Sequence, residues 1–156
     1  MTSSDTFVVE RQRRVAAPPA RIAERLIDLR RWQAWSPWED LDPQLQRTYS
    51  GPDSGVGAVY EWSGNRKAGR GRMEITGVEP DRSVTVDLQF LKPFTSRSTT
   101  VFSLRPDGDG TVVTWTMTGP KTLMTKVMGL FTSMDKMIGP DFEKGLDRLA
   151  ADTEAA

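Results

Sequence analysis

The chain has 156 residues and carries 21 Lys plus Arg against 21 Asp plus Glu, so its formal net charge is zero. That length suits one domain able to bury its own core, and the charge balance argues against bulk binding to nucleic acid, which rests on phosphate neutralisation. Cysteine and histidine are both absent, which excludes disulfides, thiol chemistry and any Ser-His-Asp or Cys-His arrangement and leaves a zinc site nothing but carboxylates.

The opening residues Met1 to Asp5 lack the charged and apolar regions of a signal peptide. No run approaches the ~20 apolar residues of a membrane span. These features predict a single cytoplasmic domain over 6–152, with flexible termini at 1–5 and 153–156. They predict no cofactor, no metal and no nucleic-acid partner, in a monomer or a homodimer.

Thr6 to Ala16 alternates and predicts a strand. Val9 and Val15 share a parity with Arg11 and Arg13, so either an arginine points inward or a twisted strand leaves both in solvent. Ala17-Pro18-Pro19-Ala20 ends the strand, and proline suits a first helical turn. Ile22, Leu26 and Leu29, with Ala23 and Ile27 beside them, predict a short amphipathic helix over 20–31. Trp32, Trp35 and Trp38 follow within seven residues, a large apolar payload broken by Pro37.

From Gln44 to Gly119 the chain reads as six strands divided by turn signals. Gln44–Ser50 is the first of them. Tyr60 and Trp62 share a face after the Gly55-Val56-Gly57 turn. Gly64-Asn65 predicts a hairpin, with Gly71, Met73 and Ile75 on one face of the next strand. Val84, Val86, Leu88 and Phe90 alternate with Thr85, Asp87 and Gln89. Ser96, Ser98, Thr100, Phe102 and Leu104 share a parity on the strand that begins near Phe94. Val113, Trp115 and Met117 share one on the last. One-sided alternation marks an antiparallel sheet with a wet face and a covered one.

The cover is the C-terminal segment. Leu123, Val127, Leu130, Phe131, Met134, Ile138, Phe142, Leu146 and Leu149 recur at steps of three and four, the spacing of one helical face. Met124, Met128, Met134 and Met137 accompany them, and methionine suits surfaces that fit variable partners. Gly139-Pro140 predicts a kink or a division into two helices. The architecture is therefore α+β: a curved antiparallel sheet under a long helix, with a ligand cavity between them.

Several pieces, in their order, carry a family resemblance. They are Ala16-Ala17-Pro18-Pro19-Ala20-Arg21-Ile22, Trp35-Ser36-Pro37-Trp38, Gly55-Val56-Gly57-Ala58, Thr114-Trp115-Thr116-Met117, and Met137-Ile138-Gly139-Pro140-Asp141-Phe142-Glu143-Lys144-Gly145-Leu146. Over about Phe7 to Leu149 the chain resembles the START-like (SRPBCC) helix-grip superfamily of pollen-allergen, lipid-transfer and polyketide cyclase/dehydratase proteins, and within it the bacterial polyketide-cyclase-like branch. The resemblance implies about seven strands wrapped around a long C-terminal helix, two short helices after the first strand, and an apolar cavity. It carries no universal catalytic motif, so no catalytic residue follows from it. Arg13 stands where an apolar residue is expected, which leaves the polarity of that end of the pocket open.

Alternation and helical spacing nominate Tyr60, Trp62, Met73, Leu88, Ser98, Trp115, Met117, Met134 and Met137 as the cavity lining. Such a lining suits an apolar small-molecule ligand, held or transferred. Two other functions compete. One is a cyclase- or dehydratase-type enzyme using a carboxylate, Tyr49, Tyr60 or an arginine. The other is a protein-interaction or regulatory domain, which predicts an exposed apolar patch and a small pocket. Glu39, Asp40 and Asp42 read as a general acid, a cation site or a solvated loop, and Asp135 as a group at the cavity mouth or a solvated flank. Asp107-Gly108-Asp109-Gly110 lacks the later ligands of a calcium loop and reads as a hairpin.

Overall fold

Seven strands make one antiparallel sheet: β1 (Thr6–Val15), β2 (Gln46–Ser50), β3 (Val59–Ser63), β4 (Arg70–Glu79), β5 (Ser83–Lys92), β6 (Ser96–Asp107) and β7 (Gly110–Pro120). Their order is β1-β7-β6-β5-β4-β3-β2, so consecutive strands from β2 to β7 are neighbours and β1 closes onto β7. The structure is a computed structural model describing residues 6–38, 42–65, 69–92, 95–120 and 134–154. Glu39, Asp40, Phe94, Leu123, Met124, Val127, Met128, Leu130 and Phe131 lie outside the described residues, as do the side chains of Met134, Asp135 and Met137.

Helix α1 spans Pro19–Ile27, with proline in its first turn and Ile22 and Leu26 fully buried. It stops short of the expected Arg31 because Asp28 is extended (φ −109°, ψ 104°) and its carboxylate accepts the Arg30 N–H at 3.0 Å. That side-chain cap competes with helix continuation and starts a 3-10 helix over Leu29–Ala34 instead.

Helix α2 spans Met134–Glu154 as one element that runs through Pro140. Of the two outcomes expected at Gly139-Pro140, a kink or a division into two helices, the division does not occur. Pro140 lacks the N–H that would meet the Lys136 carbonyl, and both residues lie on the exposed side of the helix, where losing that bond costs least. The helix also passes the domain limit expected at Asp152. Thr153 is fully buried, and Glu154 accepts the Ala16 N–H at 2.9 Å.

The core lies between α2, α1 and the concave face of the sheet. Val9, Val15, Ile75, Val84, Val86, Phe102 and Val113 from the sheet meet Phe142, Leu146 and Leu149 from α2, all at most 1% exposed. Both arginines of β1 share the inward parity, yet neither enters the cavity. Arg11 Nε reaches Glu143 at 2.8 Å and Arg13 Nε reaches Asp147 at 2.8 Å, so they fasten the flank of α2 to the sheet edge. Arg25, 7% exposed, does the same between α1 and Asp152 at 3.1 Å.

Candidate functional site: an aromatic cavity beside the C-terminal helix

A cavity of about 240 Å³ lies between the sheet and α2. Six of the nine nominated residues line it: Tyr60, Trp62, Met73, Leu88, Trp115 and Met117. Each comes from a strand, and period-two alternation points all six to the concave face. Ser98 is buried on that face and pairs with Leu88, but Thr100, one step along β6 and paired with Val86 and Met117, is the residue at the cavity wall. No hydrogen bond from either hydroxyl joins it to another described residue. The side chains of Met134 and Met137 are outside the described set, and α2 contributes Ile138 and Phe142 instead.

Sequence reasoning missed Trp32, Ser36, Trp38 and Leu45 at the wall. They lie in the 3-10 helix and the non-repeating chain after it, where no period tells which way a side chain points. The signal was there in the three closely spaced tryptophans. Trp32 is fixed by donating its indole N–H to the Leu26 carbonyl at 3.1 Å, and Trp38 Nε1 donates to Asp141 at 3.4 Å.

Ring geometry sets the wall. Trp115 stacks on Phe142 with centroids 4.0 Å apart and planes 6° from parallel. Trp38 meets Trp115 edge-on at 5.7 Å. On the other side Tyr60 stacks with Trp62 at 5.8 Å, and Phe90 meets Trp62 edge-on at 5.5 Å. Offset and edge-on contacts of this kind add about 0.5–1.5 kcal/mol each beyond area burial. The indole N–H groups of Trp35 and Trp115 find no acceptor among the described residues.

The chemistry of the wall is apolar and neutral. Among the described lining residues none carries a formal charge, and the polar groups are Ser36, Thr100, the Tyr60 phenol and the indoles. Other groups weighed above lie elsewhere. The Tyr49 phenol takes a hydrogen bond from Gln33 at 2.8 Å, and Arg30 sits over its ring at 4.5 Å. Asp42 accepts the Gln44 and Asn65 N–H groups at 2.9 and 2.8 Å. Asp107 and Asp109 both take up Arg14, at 3.1 and 3.0 Å, across the β6–β7 hairpin, and these hydrogen bonds, Asp109 first, hold the Arg14 pKa above its usual value.

A sheet gripping a C-terminal helix beside an apolar cavity defines the helix-grip class of ligand-pocket domains. The family model for polyketide cyclase/dehydrase and lipid transport proteins matches residues 6–154, and the chain belongs to that family. Solved structures share its fold. Protein CV1439 from Chromobacterium violaceum is 16% identical with a TM-score of 0.67, over 97% of this chain and 98% of its own. Mll3558 from Rhizobium loti is 22% identical with a TM-score of 0.64, over 94% and 96%. Aha1 from Colwellia psychrerythraea, solved as a dimer, is 16% identical with a TM-score of 0.58, over 87% and 90%. At such identities the likeness is one of fold, which hosts several functions. No curated protein matches the chain.

Proposed function

We propose that the protein binds, and releases or transfers, a neutral apolar small molecule in the cavity between the sheet and α2. The observation that carries this reading is the aromatic wall, uncharged among the described residues, around about 240 Å³ of space. Pockets that hold small molecules are mostly apolar, with a few polar groups that orient the ligand, and Thr100, Ser36 and Tyr60 meet that description. The family's lipid-transport and cyclase members fit the same reading. Burying about 300 Å² of ligand at ~25 cal/mol per Å² contributes about 7 kcal/mol before association costs, so affinities of about micromolar or weaker are expected.

Tryptophan fluorescence tests it, because three of the tryptophans that line the cavity are Trp38, Trp62 and Trp115. Titration with apolar ring compounds and fatty acids quenches emission saturably, and Trp115→Phe weakens the signal. A panel in which no compound moves either fluorescence or the melting temperature refutes the reading.

A further inference from the structure

We propose that Gly71, by leaving its own place to the Trp62 indole, sets the upper size of ligand the cavity admits, at about two fused rings. This rests on the binding reading above. Trp62 on β3 stands directly opposite Gly71 on β4. A Cβ built at Gly71 would overlap the six-membered edge of that indole and would lie 2.6 Å from the Gln89 carbonyl oxygen. The backbone at Gly71 is not in the left-handed region that Gly51, Gly55, Gly57, Gly69 and Gly108 occupy. Dihedral freedom therefore does not call for glycine here; close approach by a neighbour does. An aromatic ring lying across a glycine on the adjacent strand is a known means of covering exposed sheet backbone.

The consequence is a wall that is recessed by one side chain. Tyr60 stacks on one side of the indole and Phe90 meets it edge-on. A side chain at position 71 would leave the ring one direction to move, off the sheet and into the cavity. With the indole down, the cavity measures about 240 Å³. An apolar cavity of about 150 Å³ holds one benzene, so the space here suits one further fused ring. It is also below the roughly 300–1,000 Å³ of usual ligand pockets. A long acyl chain would leave much of its length outside, and a three-ring compound would have to displace Trp62.

Calorimetric titration of the purified chain with 2-naphthol, 9-anthracenemethanol and hexadecanoate tests this. The wild type is expected to prefer 2-naphthol over the three-ring compound by about tenfold or more, the scale of discrimination by steric fit in an apolar pocket. Trp62→Ala uncovers Gly71, and the three-ring compound gains about tenfold while 2-naphthol weakens, so the preference collapses. Trp62→Leu, a milder change, shifts the ratio the same way, and circular dichroism melting establishes that each variant is folded. The proposal is overturned if the wild type takes 9-anthracenemethanol or hexadecanoate as tightly as 2-naphthol, or if neither folded variant changes the ratio. If none of the three compounds binds the wild type, the binding reading falls and this inference with it. Binding of 2-naphthol with an unmoved ratio removes the Gly71–Trp62 limit and leaves the binding reading standing.

Discussion

Aromatic residues pack fully on one side of the concave face, the filled side, whose inner rings Trp115 and Phe142 also wall the cavity, and are only half-buried on the other. Toward β1, β7 and β6, Trp115 lies between Phe142 at 4.0 Å and Phe102 at 4.9 Å, with Trp35 crossing it at 5.6 Å. All four are at most 1% exposed. Toward β3, β4 and β5, Trp62, Met73 and Phe90 are half-buried and face the cavity. The difference comes from where α2 lies. Its closest strand is β1, to which Arg11–Glu143 and Arg13–Asp147 fasten it. The cavity lies over the part of the concave face that the described residues of α2 flank, with Ile138 and Phe142 on its near wall. Residue type alone does not say which lining ring is fully buried; the lateral position of the helix does.

The strongest way to break this comparison is Phe142→Ala. Phe142 is fully buried on the filled side, and its removal is expected to cost about 3–5 kcal/mol in a denaturant melt. On the cavity side Trp62→Ala, from a half-buried site, is expected to cost less than about 2 kcal/mol. Equal costs would erase the distinction between the two sides.

Gly145→Ala sharpens it. Alanine is the better helix former by about 1 kcal/mol, so an open helix face would gain. Here a Cβ would stand 2.8 Å from the Trp115 ring and 3.0 Å from Pro37 Cδ. Both neighbours belong to the filled side, and a net loss of about 1–2 kcal/mol is expected. A raised melting temperature would mean that side yields readily.

The smallest effect belongs to the fastening itself. Glu143 and Asp147 are 61% and 70% exposed, so each pair is screened by solvent and salt. Asp147→Asn should shift stability by less than about 1 kcal/mol, and by less still at high salt. A larger, salt-independent loss would show that the ion pairs, rather than the apolar face of α2, hold the helix against β1.

The sheet was legible because a strand has a rigid period of two, so Val113, Trp115 and Met117 had to share a face. The same rule found six of the lining residues. It failed where no such rule operates. Trp32 and Trp38 sit in chain without a repeating period. The apolar arc of α2 is wide enough to serve both the core and the cavity, and spacing does not say which part of the arc meets which. Spacing nominated Met134 and Met137, whose side chains lie outside the described residues, and did not single out Phe142, which the same three–four spacing contained. Parity alone left open whether Arg11 or Arg13 points inward, because their partners sit more than 130 positions away on α2. Pairing across that distance leaves no local trace.

The indole N–H groups of Trp35 and Trp115, without an acceptor among the described residues, have a consequence of their own. A buried donor without an acceptor costs about 1–3 kcal/mol, a penalty that the stacked rings around Trp35 and Trp115 must offset. The Trp35 ring is fully buried and does not line the cavity, so its indole proton is shielded while the core stays shut. In deuterated solvent it is replaced when the filled side itself opens, an event whose free energy approaches that of global unfolding. Trp62, half-buried at the cavity wall, stands nearer to solvent. The slow indole resonance of Trp35 is thus an internal clock for the rare opening of the core, while that of Trp115, whose ring also lines the cavity, senses the cavity as well.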